Sequence, residues 1–296
     1  MELQQLRYFV AVSKHRNFTR AAEECRVSQP ALSMQIQKLE GALGGPLFHR
    51  QGRKIVLTGL GERLLSKAEN LLLLHQSAID ELRDEVVSGG VAQFGATLTI
   101  APYLIPYVVS HADRDDIPPF RMEENFTEGL LDRILDGSLD FALMSTPVEI
   151  ASLMVKVVAR EPFVLVMPSD HRLSRKGKIS MDDALKEPFL PLSQIHCAGR
   201  QISEFYSKRE NQPRSQFESA QIDTILKLVG KGLGVTLLPK MAVLGSLDES
   251  LCYRYIHGVK LDREISMVHH PDRYLSDSAR KMMTLIETCL NDFVKE

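Results

Sequence analysis

Residues 17–39, NFTRAAEECRVSQPALSMQIQKL, constrain the fold more than any other stretch, because two helix starts and a forced break are written into it. Phe18, Ala22 and Cys25 recur at i, i+4 and i+7, which lays one apolar stripe on a short helix, and Asn17 or Thr19 can cap its first turn. A break follows at Arg26-Val27. Ser28 is a second N-cap, and Pro30 falls in the first turn, where its missing N–H is harmless and its fixed φ suits helix entry. The second helix is expected to bury Leu32, Ile36, Leu39 and Leu43 and to expose Pro30, Met34, Gln37 and Lys38, with Gln29 and Ser33 on the flank near its start. A helix of this width enters the DNA major groove, where a Gln amide can address adenine and a hydroxyl several bases. On these residues alone, an ordinary helical hairpin with a hydrated polar face remains the alternative.

The flanking segments favour the first reading. Leu3 to about Lys14 forms a helix with Leu3, Leu6, Phe9 and Val10 inward, which completes a three-helix core. Gly44-Gly45-Pro46 ends the second helix. Residues 47–58, LFHRQGRKIVLT, then read as two short extended pieces around a polar turn, a wing that brings Arg50, Arg53 and Lys54 beside the reading helix, where they would neutralise phosphates. Residues 1–58 hold nine Lys/Arg against four Glu, although the whole chain carries a net charge of −2. Only this first domain suits a polyanion.

From Thr58 to about Val87 there is no proline, and Leu64, Ala68, Leu71, His75, Ala78 and Leu82 keep a 4-3-4-3-4 spacing reinforced by Leu72 and Ile79. This predicts a helix of about 40–45 Å with an apolar seam. An antiparallel mate from a second copy would set two reading heads on one duplex. Burial against the rest of the chain is the competing arrangement.

Ser88-Gly89-Gly90 is a hinge. Beyond it, strands at 91–95, 120–124 and 140–144 alternate with helices at 101–112 and 127–136, a β-α-β-α-β order that predicts a mostly parallel sheet. After a crossover near Arg160, a second unit is expected: strands at 163–167, 189–192, 215–218, 234–238 and 253–256, and helices at 181–185, 199–209 and 222–230. A returning strand at 264–269 and a closing helix at 276–293 complete the chain. The glycines of VGKGLGVTLLP (Gly230, Gly232, Gly234) stand between a helix and a strand, the reverse of a dinucleotide fingerprint, and read as a turn.

With 296 residues and 44% apolar content, two or three domains with real cores are expected. No basic segment followed by an apolar core opens the chain, and no run of about 18 apolar residues occurs, so a cytoplasmic protein without membrane attachment is expected. The four cysteines (Cys25, Cys197, Cys252, Cys289) lack metal or disulfide-framework spacing. Neither metal nor cofactor is expected.

The segment from LRYFVAVSKHRNFTRAAEECRVSQPALSMQIQKLEGALGGPLFHR through LTGLGERLL resembles the LysR-type transcriptional regulators, and the likeness runs over essentially the full length. The resemblance implies a mainly α winged helix-turn-helix at 1–58, with the motif itself at 18–37, a linker and dimerisation helix at 59–88, and an α/β effector domain at 89–296. The last has two lobes of periplasmic-binding-protein type: lobe I about 89–160 and 266–296, lobe II about 161–265. The candidate DNA-binding residues are Thr19, Gln29, Pro30, Ser33, Met34, Gln37, Lys38, Arg50, Arg53 and Lys54. Expected partners are double-stranded promoter DNA with an interrupted inverted repeat, RNA polymerase, a second copy in a homodimer or homotetramer, and an effector in the cleft.

The effector region offers one reactive candidate. Cys197 stands just ahead of the helix expected at 199–209, where the helix N-terminus, His196 and Arg200 would favour a thiolate, the form that attacks a peroxide O–O bond. LTIAPYLIPYVV, ENFTEGLL and LSQIHC resemble the peroxide-sensing OxyR branch of the family, which implies that Thr99, Thr127, His196 and Cys197 form a peroxide pocket. The chain departs from that branch at two places: Tyr206 stands where its resolving cysteine is expected, and His270 where a pocket arginine is. Two effectors therefore stay open, an oxidant acting on Cys197 and a small organic acid for which Cys197 merely lines the cleft. No enzyme is expected, and the competing classes, a cysteine hydrolase using His196 or His270 and a peroxidase, both centre on Cys197.

Overall fold

In the computed structural model the described residues are 1–296 except 52–53, 87–89, 148–149, 208–216, 218, 245–248 and 294–296, together with the side chains of 50, 51, 54, 85 and 86. They form two compact units. The first comprises Met1–Val86 with the short segments Leu135–Gly137 and Asp272–Tyr274, and the second holds the remainder.

The first unit begins with α1 (Leu3–His15), α2 (Phe18–Glu24) and α3 (Gln29–Leu43). Asn17 Oδ1 accepts from the Thr19 and Arg20 amides at 2.8 and 3.1 Å and so satisfies two donors at the start of α2. Arg26, at φ 55°, makes the break before α3, and Gly44, at φ 76°, ends it. Leu6, Phe9, Val12, Leu32, Ile36 and Leu39 are buried in one core. Leu3 and Leu43, expected inward, are exposed, because each lies in a terminal turn that runs past the core. Val10 is only partly buried, and Tyr8, Ala11 and Val12 take the inner face of α1 in its place. The wing is an antiparallel pair, β1 (Phe48–Gln51) and β2 (Lys54–Leu57), which Phe48 fastens to the helices by ring contacts with Phe9 at 5.3 Å and Phe18 at 5.9 Å.

α4 (Gly59–Val86) runs for 28 residues, about 42 Å. Its start is capped by Thr58, whose Oγ1 accepts from the Gly61 amide at 2.9 Å. Leu64 and Ala68 belong to the three-helix core.

The second unit contains β3 (Ala92–Thr97), α5 (Ala101–His111), β4 (Phe120–Asn125), α6 (Thr127–Leu135), β5 (Phe141–Thr146) and β6 (Met154–Pro168). It continues with α7 (Met181–Leu185), α8 (Cys197–Ser207), α9 (Ile222–Gly230), β7 (Thr236–Pro239), α10 (Lys240–Leu244), β8 (Leu251–Arg254), β9 (Asp262–His269) and α11 (Asp277–Phe293). The strand order is β4-β3-β5-β9-β6-β7, with β8 also on β6. β3 is parallel to β4 and β5, as the alternation of strands and helices requires, whereas β9 is antiparallel to β5 and β6.

The crossover expected near Arg160 runs through one continuous strand. β6 is one strand of 15 residues whose first part, to Pro162, pairs with β9 and whose second part pairs with β7 and β8. Pro162 sits where the partner changes, a place that tolerates a residue with no N–H to donate. The expected lobe boundaries at about 160 and 265 thus fall inside β6 and β9. One core gathers around Phe94 and Phe141, stacked at 5.1 Å, with Met267, Ile286 and Leu290. The other gathers around Val164, Phe189, Ile225 and Leu237.

Two further expectations change, and a third falls mostly outside the described residues. α8 starts at Cys197 and not at Gly199. The segment 189–192 contributes only isolated bridges, Phe189 to Val235 and Leu192 to Ser219. Of the strand expected at 215–218, only Phe217 lies within the described residues, and it is in neither a strand nor a bridge.

Candidate functional site

Two surfaces of the first unit hold the residues expected to meet partners. Along α3, Gln29, Pro30, Met34, Gln37 and Lys38 are exposed and Ser33 is half-buried, while Thr19 is exposed in the first turn of α2. Gln35, on the same helix, is held back by Gln5 Nε2 at 3.2 Å. What the helix start offers is therefore two amides, a hydroxyl, a thioether and an ammonium on one face. Arg53 lies outside the described residues, as do the side chains of Arg50 and Lys54, so the wing's charges rest on the sequence.

On α4, Leu71, Leu74, Ala78 and Leu82 share one exposed stripe, and Leu82 is 63% exposed. The opposite face is covered within the same unit. Leu73 is buried, Ser77 Oγ donates to the Asp272 carbonyl at 3.2 Å, and Asp80 pairs with Arg273 at 2.6 Å. His75, expected in the seam, is half-buried with its Nδ1 unpartnered.

In the second unit, the carboxyl ends of β3, β4 and β5 lead into Thr99, Thr127 and the pair Ser145-Thr146, the edge of an open α/β sheet where crevices form. Against this edge stands the start of α8. A Cβ on Gly199 would lie 2.1 Å from the Ser193 carbonyl oxygen, so only glycine lets the first turn of α8 come this close to the preceding loop. That approach fixes Cys197. Its Sγ lies 3.0 Å from Thr127 Oγ1 and accepts from Arg200 Nη2 at 3.1 Å. Arg200 is steadied by donating to the Gln194 carbonyl at 3.2 Å, and Glu128 lies 3.5 Å from its Nη2. A sulfur with a cation and a hydroxyl beside it is arranged as an acceptor.

His196 does not share this role. Its Nε2 bonds the Ala220 carbonyl at 2.5 Å, its ring packs on Phe126, and burial pushes its pKa below the ordinary value, with the charges of Arg200 and Arg263 lowering it further. The cation that reaches the sulfur is Arg200, whereas Nε2 of His196 is turned to the backbone. His270 is buried just past the end of β9, and Thr99 is buried as well.

Gln201, one turn after Cys197, donates from Nε2 to the Thr146 carbonyl at 2.6 Å and keeps a buried Oε1 without a partner. The other thiols differ in setting. Cys289 is in the first core, Cys252 donates to the Pro168 carbonyl at 3.6 Å, and Cys25 lies in the reading head. Burial raises the pKa of all three, so they stay protonated and weakly nucleophilic. Tyr206 packs edge-on against Phe189 at 6.0 Å in the second core.

Sequence reasoning missed Arg263 and Glu161. Both are fully buried and paired at 2.5 Å, and Arg263 also donates to Thr99 Oγ1 at 2.8 Å, the Thr99 carbonyl at 2.9 Å and Ser145 Oγ at 3.3 Å. The pattern did not single them out, because Glu161 stands beside Arg160 in VAREPFVLV and Arg263 between Asp262 and Glu264 in DREISMVH. Among the described residues no group of three His, Cys, Asp or Glu could hold a metal ion, and no helix is long and apolar enough to cross a membrane.

Residues 3–62 match the family of bacterial regulatory helix-turn-helix proteins of lysR type, and residues 87–290 match the LysR substrate binding domain. The chain is similar to the hydrogen peroxide-inducible genes activator of Dickeya chrysanthemi, 32% identical over 96% of this chain and 97% of that protein. Its fold is similar to a full-length OxyR of Pseudomonas aeruginosa carrying a cysteine-to-aspartate change, with a TM-score of 0.67 and 29% identity over 98% of this chain and 95% of that one. A Corynebacterium glutamicum OxyR cysteine-to-serine mutant bound to hydrogen peroxide matches with a TM-score of 0.60 and 27% identity, over 99% and 94% of the two chains.

Proposed function

Because this chain belongs to the LysR family of DNA-binding transcriptional regulators, we propose that it is a peroxide-responsive member whose sensor is the Cys197 thiolate. One observation carries the reading: Thr127 Oγ1 and Arg200 Nη2 meet the same sulfur at 3.0 and 3.1 Å. The peroxide-bound relative and the peroxide-inducible activators support it.

The chemistry balances within these groups. The thiolate attacks one peroxide oxygen, the O–O bond breaks, and an S–O bond forms. Sulfur loses two electrons and becomes a sulfenic acid, while the other oxygen leaves as hydroxide or alkoxide and takes a proton from solvent. Thr99 and Thr127 offer hydroxyls to the incoming molecule. With Tyr206 packed in a core and the three remaining thiols raised by burial, the oxidised product is a sulfenic acid and not an internal disulfide. An external low-molecular-weight thiol returns it to the reduced form.

Upstream, the polar start of α3 reads base edges through Gln29, Ser33, Met34, Gln37 and Lys38, with Pro30 setting the helix entry and Thr19, Arg50, Arg53 and Lys54 on phosphates. The exposed stripe on α4 pairs with a second copy, so the homodimer reads an interrupted inverted repeat, and dimers assemble further into a homotetramer that works with RNA polymerase in the cytoplasm. The parts follow as a helix-turn-helix domain at 1–58, a linker at 59–88 and an effector domain at 89–296.

Intact-protein mass after one equivalent of hydrogen peroxide tests the sensor. A gain of about 16 Da at Cys197, with a changed footprint on the promoter beside the protein's own gene, is expected. An unoxidised Cys197, or a footprint that changes equally in Cys197→Ser, overturns it.

A further inference from the structure

Thr127 and Glu128 follow one another in the first turn of α6, and each meets a different part of α8. Thr127 Oγ1 lies 3.0 Å from the Cys197 sulfur, and Glu128 Oε1 stands 3.5 Å from Arg200 Nη2. That same Nη2 donates to Cys197 Sγ at 3.1 Å, while Nη1 is tied to the Gln194 carbonyl at 3.2 Å. One cation thus has two anionic claimants, a thiolate on its own helix and a carboxylate on the other. The two helices are seated on different parts of the unit. Leu130 of α6 lies over Gly95 of β3, and Ala198 and Ile202 of α8 are in the second core, so a bond from Arg200 to Glu128 joins one part to the other.

The distances rank the claimants. A charge-assisted bond between guanidinium and carboxylate closes to about 2.7–2.9 Å. At 3.5 Å, Glu128 therefore attracts Arg200 by charge without closing that bond, and the sulfur holds the cation. The sulfur's hold depends on its own charge. When the thiolate attacks peroxide, sulfur gives up two electrons to the new S–O bond and the breaking O–O bond, and the departing hydroxide carries the negative charge away. The carboxylate is then the stronger acceptor. We propose that Glu128 is a positioning residue that takes Arg200 over from Cys197 on oxidation, closing the bond between them and fastening α8 to α6. This rests on the peroxide-sensing reading above, and it gives a sulfenic acid a mechanical output in a chain whose Tyr206 is packed in a core. Both side chains reach solvent, Arg200 at 39% and Glu128 at 68% exposure, so the pair acts as a surface ion pair does, by a shift of a few-fold.

The test is amide hydrogen exchange in the full-length chain, before and after hydrogen peroxide, read at residues 131–135, whose amides bond back to the first turn of α6. Intact mass establishes in each sample that Cys197 is oxidised. In the parent, oxidation is expected to slow exchange there about 2- to 5-fold, and about 1 M sodium chloride should erase the difference, because charges this exposed are screened. Glu128→Gln should gain the oxygen and show no slowing. In the double variant Glu128→Arg/Arg200→Glu the carboxylate on α8 is repelled by the thiolate and drawn to α6 in either state, so exchange should be slow before and after peroxide alike. A clamp of purely structural kind would show no dependence on the state of the sulfur. The same slowing in Glu128→Gln as in the parent overturns the proposal, as does an oxidised parent whose exchange is unchanged. Should the double variant fail to fold, Glu128→Gln still decides, since that side chain is exposed. A parent Cys197 that gains no oxygen overturns the sensor reading itself, and an oxidised parent that exchanges as Glu128→Gln does overturns this inference alone.

Discussion

The hydroxyl of Thr127 and the sulfur of Cys197 lie 3.0 Å apart although they are 70 residues apart in the chain, the first at the start of α6 and the second at the start of α8. Two helix N-termini are thereby brought to one atom. Thr127→Val keeps shape and removes one hydrogen bond worth about 0.5–1.5 kcal/mol. Oxidation of Cys197 by peroxide should slow about 2- to 10-fold, as stopped-flow rates will show, while thermal stability changes little.

Gly199 is the reason α8 can begin where it does. Gly199→Ala places a methyl 2.1 Å from the Ser193 carbonyl, so the first turn must move and the contacts to Thr127 and Arg200 must lengthen. The expected outcome is a folded protein with DNA binding intact and peroxide reactivity of Cys197 reduced more than by Thr127→Val. Labelling kinetics at Cys197, compared with promoter binding by the same sample, read both.

His196 makes stability depend on pH. Burial, chiefly, holds its folded pKa below the ordinary imidazole value of about 6.5, so below about that pH the unfolded chain takes a proton that the folded chain refuses. Acidification therefore favours unfolding through this group, and the penalty is absent above that pH. His196→Gln removes the titration and retains an N–H for Ala220. The melting temperature of the variant should fall less than the parent's between pH 7.5 and 5.5, and parallel curves would contradict the assignment.

DNA binding separates into two kinds of contact. Gln29→Ala should weaken the preferred site by about 1–3 kcal/mol and relax base preference, whereas Lys38→Ala should weaken all duplexes alike and reduce the salt slope by about 1. Binding titrations over a salt series, on specific and random duplexes, distinguish them.

On α4, Leu74→Glu together with Leu82→Glu sets charges on the exposed apolar stripe without touching the covered face of Leu73, Ser77 and Asp80. Sedimentation should shift from dimer toward monomer, and affinity for a two-site duplex should fall at least tenfold, since both heads no longer bind as one. An unchanged sedimentation coefficient would place the self-association elsewhere.

Local signals were legible without coordinates. Asn17, Ser28 and Gly44 mark helix ends by their own chemistry, and the periods of four and three found Leu32, Ile36 and Leu39. The same periodicity erred at Leu3 and Leu43, because it reports direction around a helix and not how far along the axis the core extends. The crossover expected near Arg160 is carried by a single strand that changes partners at Pro162, a continuity that only its neighbours reveal.

The sequence by itself determined the reading head, the long linker helix, the parallel start of the second sheet and the candidacy of Cys197, since each depends on residues a few positions apart. Tertiary structure decided which side chains serve that cysteine. It turned His196 to the Ala220 carbonyl, gave the sulfur to Arg200 and Thr127, and joined Arg263 to Glu161 and Thr99 across 102 and 164 residues of chain. Hydrogen bonds and ion pairs of this span leave no period in a sequence, because their geometry exists only after the strands that carry them have paired.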